Sequence, residues 1–524
     1  MPPLEAAVNH YKSTGPSSSP QSSAGRIPWL TLLFLLALGT IIRFLHLTRK
    51  PFWFDESFSV EVARISWGNF LRLLWWREAN MSLYYVLLRI WLQFGHSEFY
   101  IRSLSVVIAA ATIPAIYWLA RLLYDRRVAL IAAALFTFNA YSIRYSQEAR
   151  SYALFLLLAT LSSGFFIALV REPVRRNRIG YVLISILAVY AHFYALLLVA
   201  AHWLNLGWLR SGESSADRTR LSAELRRVWT TIGAAVLPLL VFVAKTGAGP
   251  IRWIHRPDFH DLSGFFANLA GSNRWPLAAI STVACIAAVA PLGWSIWRRG
   301  HTWETWRCQF LLLWLLFPVV LTVLLSFARP VFLARYMIFC LPALLILVAA
   351  GVARLRQSWL MALALTGILL LSVQGIFFVY ANDFDTERDA SGAAAAFILD
   401  HAQPGDAVVF HIAATRIPYE FLRSQRFGEN TASPSFTAQD GPEILFPYHG
   451  AGLDYRDFTG KPAVDLLRST AASHPRIWVM LMNNGPSENP DATTVMLTKT
   501  LTELLPRVQG WHFAKAEVQL YSKE

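Results

Sequence analysis

Charged residues are scarce in this chain. Only 15% of its 524 residues are charged, whereas 55% are hydrophobic, and the mean hydropathy is +0.40. An ordinary soluble enzyme has a larger charged fraction, so the composition excludes that class. The sequence therefore predicts an integral membrane protein whose immediate surroundings are membrane lipids.

Cysteines and glycine-rich motifs are also scarce. Cys285, Cys308 and Cys340 lie in or beside apolar runs, which argues against a disulfide framework or a thiolate metal site and indicates packing residues. No glycine-rich loop follows a strand pattern and precedes a helix pattern, so a nucleotide site of the Rossmann or P-loop type is unsupported.

The charge that is present is mostly basic. The formal net charge of +14 is compatible with nucleic acid, with anionic lipid headgroups or with the inner loops of a polytopic membrane protein. The high hydropathy favours the inner loops. We therefore expect no nucleic-acid partner.

Eleven apolar runs have about the length of 20 residues that crosses a bilayer, although a few are shorter. A twelfth run, MSLYYVLLRIWLQFG at 81–95, is short and contains Arg89 and Gln93. The eleven runs cover residues 28–47, 102–123, 128–144, 150–170, 179–191, 193–209, 229–245, 276–297, 308–328, 331–352 and 359–380.

The distribution of arginine decides whether 81–95 crosses the membrane. If it does not cross, the basic loops all fall on the side of the N-terminus, as the positive-inside rule requires. We therefore predict that 81–95 is an amphipathic helix lying flat at the outer interface. The basic loops are residues 121–127, 171–178, 209–227, 298–307 and 354–357.

The composition divides the chain into three parts. Residues 1–26 are rich in Ser, Pro and Gly, which predicts a disordered cytoplasmic tail. Residues 27–380 form the predicted transmembrane domain, with an outer-face loop at 48–101. Residues 381–524 contain a helix pattern, a Pro-Gly turn and strands such as RIWVMLM, so we predict a small α/β domain outside the membrane.

Five polar clusters emerge on the predicted outer face. Each has an ordinary structural interpretation: first-turn acids of a helix, arginines that reach the interface, a helix-end histidine or a basic belt. Acids beside a membrane are more often functional, and the shared face favours a common site. The clusters are FWFDESFSVEVAR with Asp55 and Glu56, RYSQEARSY with Arg144, Glu148 and Arg150, YAHFYA with His192, IRWIHRPDFH with Arg252, and FLARYM with Arg335.

The order of these motifs resembles a known family. RFLHL…PFWFDESFSVEVAR, SLYYVLLRIWLQFGHSEFYIRSLSVV, LFTFNAYSIRYSQEARSYALF, YAHFYALLLV and FLARYMIFCLPAL are similar to segments of bacterial GT-C membrane glycosyltransferases. The similar branch is the one related to dolichyl-phosphate-mannose protein mannosyltransferases and lipid A aminoarabinose transferases. The resemblance covers roughly residues 28–380 and implies the polytopic α-helical GT-C fold.

The resemblance also implies a reaction. Such enzymes take a sugar from a polyprenyl-phosphate carrier at the outer face of the inner (plasma) membrane and pass it to a lipid, glycan or protein acceptor. Asp55 matches the catalytic carboxylate, with Glu56 as the weaker candidate of the pair. Glu148 matches the second acidic position, and Arg335 matches the carrier-phosphate position.

Further residues complete the expected site. We expect Tyr336, Arg150 and Arg252 to assist at the carrier phosphate, and we assign Arg43, Tyr84, His192 and Tyr194 to the substrate pocket. A divalent cation is left open, since the acids could bind one through oxygen but pairing with arginines needs none. A lipid-linked glycan ligase, a flippase or a transporter remains the alternative function.

Overall fold

The computed structural model describes residues 27–76, 78–209, 215–246, 254–271, 275–292, 296, 302–381, 390–427, 443–446, 461–482 and 490–523. The predicted tail 1–26 and Arg252 lie outside these residues.

The helices dominate the described chain. In order they are α1 Ile27–Phe44, α2 Phe54–Arg64, α3 Trp67–Trp76, α4 Ser82–Trp91, α5 Glu98–Leu123, α6 Arg126–Thr137, α7 Ala140–Ser146, α8 Tyr152–Arg171, α9 Arg175–Ala191, α10 Ala195–Leu209, α11 Ser215–Thr246, α12 Phe259–Ala270, α13 Trp275–Val289, α14 Trp303–Ala328, the 3₁₀ helix Ala334–Cys340, α15 Leu341–Ala353, α16 Ser358–Ala381, α17 Ser391–His401, α18 Arg416–Phe427, α19 Val464–Ser473 and α20 Ala492–Leu504. The strands are β1 Ala407–Phe410, β2 Glu443–Phe446, β3 Arg476–Met482, β4 Arg507–Phe513 and β5 Ala516–Ser522.

Internal contacts divide the chain into two units. The first unit comprises Met1–Leu45 and Ser105–Ala381, and the second comprises His46–Leu104 and Asn382–Glu524. The segment after the first apolar helix is thus grouped with the C-terminal part of the chain, whereas the predicted boundaries followed the membrane spans. Those boundaries stay a prediction.

Apolar helices of membrane-spanning length confirm a polytopic membrane protein. Six described helices are long and apolar enough to cross, and the pair α6 and α7, bent by 57°, makes a seventh if it is one span. Three more apolar helices are shorter. Every one of the eleven predicted runs overlaps a helix. The count of eleven crossings stays a prediction.

The break between α6 and α7 is held by a buried arginine of α1. The Arg43 guanidinium donates to the carbonyls of Phe136 and Thr137 at 3.2 and 3.3 Å and to Ser142 Oγ at 3.0 Å. Asn139 caps α7 by accepting a hydrogen bond from Ser142 N at 2.8 Å. These bonds satisfy carbonyls that a break in a helix leaves without partners.

The segment 81–95 does not form a span. Its helix α4 has 10 residues, about half of the length that a bilayer requires. Arg89 donates to the carbonyls of Ala63 and Ile65 at 3.0 and 2.5 Å, and its guanidinium lies 4.3 Å from the Trp67 ring centroid. The arginine that argued against a crossing therefore caps the end of α2. Its depth in the membrane stays a prediction.

A mixed β-sheet forms the predicted C-terminal α/β domain. Its strand order is β2-β1-β3-β5-β4; β1 is parallel to β2 and β3, and β5 is antiparallel to β3 and β4. The connections that contain α18 and α19 join the parallel strands, as parallel pairing requires. The C-terminal segment HFAKAEVQLYS turns at Lys515, whose φ is 57°, so it forms a hairpin rather than one strand.

Both faces of the sheet are covered by helices. Val408, Trp478 and Leu520 belong to one apolar cluster with residues of α17 and α18. Val409 and Ile477 belong to a second cluster with residues of α19 and α20. Because successive strand residues point to opposite faces and both faces are covered, β1 and residues 477–482 of β3 are continuous hydrophobic runs.

Helix α2, whose first turn contains Asp55 and Glu56, packs on this domain within the second unit. The ring of Phe52 stacks on Phe421 of α18 at 4.5 Å, and Phe54 packs against the cluster that contains Trp478. A Cβ at Gly392 would lie 2.2 Å from the Phe52 carbonyl oxygen, so only glycine allows this approach. The α/β domain therefore fixes the start of α2.

A partly buried group of charges joins the other end of α2 to α18. The Arg416 guanidinium lies 3.2 Å from the Glu420 carboxylate. Burial raises the pKa of Glu420 to about 7, an effect that Arg416 and Arg423 oppose and Glu61 strengthens. Burial also raises the pKa of Glu61, against the lowering effect of Arg416. The Arg416 guanidinium thus lowers the pKa of both carboxyl groups.

Replacing Glu420 by glutamine should raise stability in alkaline solution. The folded protein keeps the Glu420 proton up to a pKa of about 7, against 4.5 for the reference carboxyl, so the free energy of unfolding falls as pH rises through that window. Glutamine removes this loss. We expect the variant's unfolding temperature to exceed that of the wild type by about 2–4 °C at about pH 8 and to match it near pH 4.5. Thermal unfolding of the purified protein in detergent measures this.

The exposed acid Glu503 of α20 provides the control, since Glu503→Gln also removes one carboxylate from the domain. It should leave the pH dependence unchanged. A Glu420→Gln variant that is less stable at high pH would mean that the ion pair with Arg416 outweighs the cost of burial.

Candidate functional site

Charged side chains of the first unit meet at one end of α8 and α9. Glu148 and Arg150 lie on the turn between α7 and α8, where Arg150 N donates to the Glu148 carbonyl at 2.8 Å. His192 immediately follows α9, and Arg335 is the second residue of the 3₁₀ helix. All four are buried. The guanidiniums of Arg150 and Arg335 both act electrostatically on the His192 ring.

The His192 ring is held in one orientation by its neighbours. It stacks on Phe155 with centroids 4.9 Å apart and contacts the Tyr336 ring edge-on at 4.7 Å. Its Nδ1 accepts a hydrogen bond from Tyr194 N at 3.2 Å, which assigns the proton of the neutral ring to Nε2. Among the described residues Nε2 has no hydrogen-bond partner, although it is buried. Within this part of the chain it is therefore a buried donor whose hydrogen bond is not made.

The segment before Arg335 is anchored by tyrosine and serine hydroxyls. Tyr141 Oη donates to the Ala334 carbonyl at 2.8 Å, and Tyr194 Oη donates to the Val331 carbonyl. Ser326 Oγ accepts from Val331 N at 3.0 Å. These bonds fix the backbone that carries Arg335. The sequence analysis did not identify Tyr141 or Ser326, because their role depends on contacts with a distant segment.

The chemistry of this group suits an anion with several oxygens. Two buried guanidiniums concentrate positive charge, and buried cations are stable when oxygens of opposite charge surround them. Arginine binds phosphate oxygens bidentately, and the His192 Nε2–H adds a neutral donor. The Tyr336 ring, with its centroid 5.8 Å from the Arg335 guanidinium, forms an aromatic wall. We call Arg150, His192, Arg335 and Tyr336 the arginine–histidine group.

The two acids at the start of α2 have different surroundings in the second unit. Glu56 is fully buried, and its two oxygens accept from Arg102 Nε at 2.8 Å and from Arg102 Nη2 at 2.6 Å. Arg102 also donates to the carbonyls of Leu47 and Lys50 at 2.8 and 2.7 Å. Asp55 is partly exposed. Glu56 is thus committed to a structural ion pair with Arg102.

Arg102 is a residue that the sequence analysis missed. It stands in SEFYIRSLSVV, where an arginine enters a long apolar helix, and an unexplained charge at such a position was the available signal. Its partner Glu56 lies 46 residues earlier, so the pairing depends on the tertiary fold.

The structure brings together some of the predicted site residues. Arg150, His192, Tyr194, Arg335 and Tyr336 meet in the first unit, with Glu148 on the same turn as Arg150. In the second unit lie Asp55 and Glu56, together with Tyr84, which is fully buried in α4. The predicted approach of Asp55 to Glu148 stays a prediction. Arg43 is occupied at the break after α6, which favours a structural role over its predicted place in the substrate pocket.

The sequence did not decide whether the protein binds a divalent cation. Within the part of the chain that the structure describes, no group of three or more His, Cys, Asp and Glu side chains could hold a metal ion.

Two solved structures of one protein share this architecture. ArnT from Cupriavidus metallidurans in the apo state superposes with a TM-score of 0.56 and 12% identity, over 96% of this chain and 99% of that one. The same protein bound to undecaprenyl phosphate gives 0.53 and 12%, over 95% and 98%. The archaeal oligosaccharyltransferase AglB from Archaeoglobus fulgidus, with an inhibitory peptide and a dolichol-phosphate, gives 0.47 and 10%, over 86% and 69%.

Comparisons of the sequence find no relatives beyond these structural similarities. No protein-family model matches the chain, and a comparison with curated protein sequences finds no match. At 12% identity the similarity to ArnT establishes the fold alone. The expected fold class is confirmed: the chain has the GT-C fold, with a small C-terminal sheet domain.

Proposed function

We propose that this protein is a membrane glycosyltransferase that moves a sugar, a mannose-like hexose or a pentose, from a polyprenyl-phosphate carrier to a lipid, glycan or protein acceptor. The observation that carries the proposal is the arginine–histidine group, in which Arg150, Arg335 and the His192 Nε2–H are buried together at the end of apolar helices. A lipid phosphate has a headgroup for these donors and an apolar tail for the bilayer. Undecaprenyl phosphate bound to ArnT, which shares the fold, supports the same ligand class.

The roles of the residues follow from the reaction. An acceptor hydroxyl is a poor nucleophile, so Asp55 takes its proton while the hydroxyl oxygen attacks the anomeric carbon. The bond from that carbon to the phosphate oxygen breaks, and the polyprenyl phosphate leaves with the bonding electrons. Its added negative charge is stabilised by Arg335 and Arg150, with Glu148 as the second acid. Direct displacement inverts the anomeric centre.

The charge distribution supports an orientation. Arg121, Arg126, Arg127, Arg171 and Arg175 lie at the ends of α5, α6, α8 and α9 that are remote from the arginine–histidine group. By the positive-inside rule that end is cytoplasmic. We propose that the reaction occurs on the outer face of the inner (plasma) membrane.

The direct test is turnover by the purified protein. Nanodiscs containing the protein are incubated with a panel of polyprenyl-phosphate sugars and candidate acceptors, and products are identified by mass spectrometry. A glycosylated product with release of free polyprenyl phosphate supports the proposal. Movement of an intact carrier across a vesicle membrane without product would identify a flippase and overturn it.

Asp55→Asn should abolish sugar transfer without lowering stability. The amide keeps the shape of the side chain but cannot accept the proton. Glu56→Gln is the matched neighbour: it should cost about 3–5 kcal/mol of stability, because it removes the charge that Arg102 is buried against. Initial rates, carrier-lipid binding and thermal unfolding of both variants measure this contrast. Near-normal turnover in Asp55→Asn would remove Asp55 from the base role.

Arg335→Lys should weaken use of the donor although it keeps the charge. Lysine lacks the planar fork that binds two phosphate oxygens, so we expect KM for the donor to rise by about tenfold or more, and further in Arg335→Ala. The exposed Arg329, six residues earlier, provides the control, and Arg329→Lys should leave the kinetics unchanged. If Arg335→Lys behaved like this control, Arg335 would only reach the membrane interface.

His192 substitutions should distinguish its two ring nitrogens. A glutamine amide can place an N–H near the position of Nε2, whereas an asparagine amide reaches only the position of Nδ1. If Nε2 donates to the carrier phosphate, His192→Asn should raise donor KM by about tenfold and His192→Gln should raise it less. Equal effects of the two variants, measured by donor titration at saturating acceptor, would contradict a donor role for Nε2.

A further inference from the structure

A cavity lies at the opposite end of α8 and α9 from the arginine–histidine group. It has a volume of about 670 Å³ and lies where α5 and α8 end and α9 begins. Since α8 has 20 residues, at 1.5 Å per residue its two ends are about 30 Å apart, the thickness of the hydrocarbon core. Its lining consists of Trp118, Leu122, Phe165, Ala168, Arg171, Glu172, Arg176, Asn177, Ile179 and Gly180.

One wall of the cavity is apolar and aromatic. The rings of Trp118 and Phe165 meet edge-on with centroids 5.1 Å apart, and Ile179 is half exposed beside them. A Cβ at Gly164 would lie 2.2 Å from the Trp118 ring, so a larger residue there would displace this ring. The wall is suited to an apolar chain.

The mouth of the cavity is basic. Arg171 donates one N–H to the Leu122 carbonyl at 2.9 Å, which fixes its guanidinium at the rim. Arg176 has no ion-pair partner among the residues that the structure describes. Nearby Arg178 is paired with Glu224 at 2.5 Å, and Glu172 opposes the arginines within the lining. The balance at the rim favours an anion.

We propose that this cavity binds an anionic phospholipid of the surrounding bilayer. Its phosphate lies at Arg171 and Arg176, and one acyl chain lies along Trp118 and Phe165. A basic pocket between helices at a membrane surface provides both parts of such a lipid with a partner, whereas a zwitterionic lipid adds a cation that the arginines repel. The site is independent of the sugar-transfer reaction.

Native mass spectrometry tests this proposal. The full chain is released from nanodiscs containing equal amounts of phosphatidylglycerol and phosphatidylethanolamine. We expect phosphatidylglycerol to be retained at least fivefold over phosphatidylethanolamine, and Arg176→Gln to reduce that ratio by about threefold or more. Arg127→Gln removes one exposed arginine of α6 outside the lining and should leave the ratio unchanged.

Three results would overturn the proposal. Equal retention of the two phospholipids would show that the cavity does not select an anion. Equal loss in Arg176→Gln and Arg127→Gln would show that general surface charge, not the cavity, attracts the lipid. Displacement of phosphatidylglycerol by stoichiometric polyprenyl phosphate, prevented by Arg176→Gln, would assign the cavity to the carrier instead.

Discussion

The pairing of Glu56 with Arg102 is the interaction on which the acid-bearing segment depends. A charge buried in so apolar a chain is stable only when oxygens or guanidiniums surround it. Arg102 meets this requirement by binding both oxygens of Glu56 and the carbonyls of Leu47 and Lys50. The Arg102 guanidinium therefore holds together the segment that leads into α2. Asp55 is the neighbour of Glu56, whose carboxylate is already bound to Arg102.

Most of the fold could be predicted because its signals are local. Apolar runs such as 150–170 need no partner to be recognised, and each overlaps a helix. In the strand RIWVMLM every residue after the arginine is apolar, because the strand is buried on both faces, so it was equally easy to recognise. Arg89, whose charge argued against a crossing at 81–95, proved to be the residue that ends α2.

The candidate site was predictable only in part, because residue type does not specify partners. The sequence placed His192 and Arg335 in one region through their common membrane face, and the structure brings them together. It could not reveal that Glu56 is occupied, since Arg102 belongs to a different helix. The proton on His192 Nε2 likewise follows from one backbone hydrogen bond, which no pattern in the sequence encodes.

The arginines at the two ends of α8 and α9 differ in their exposure to solvent. At one end Arg150 and Arg335 are buried, and the Arg335 guanidinium lies 5.8 Å from the Tyr336 ring centroid. A guanidinium held in a fixed orientation is selective for the geometry of the group it binds. At the other end Arg175 and Arg176 are exposed and hydrated, so they attract anions of many shapes and are screened by salt. Burial therefore distinguishes the proposed carrier-phosphate site, which can stabilise a developing charge, from the proposed phospholipid site, which can only attract a charged headgroup. The proposed transfer reaction requires the former, because donors fixed before the reaction need no reorganisation when the leaving phosphate gains its charge.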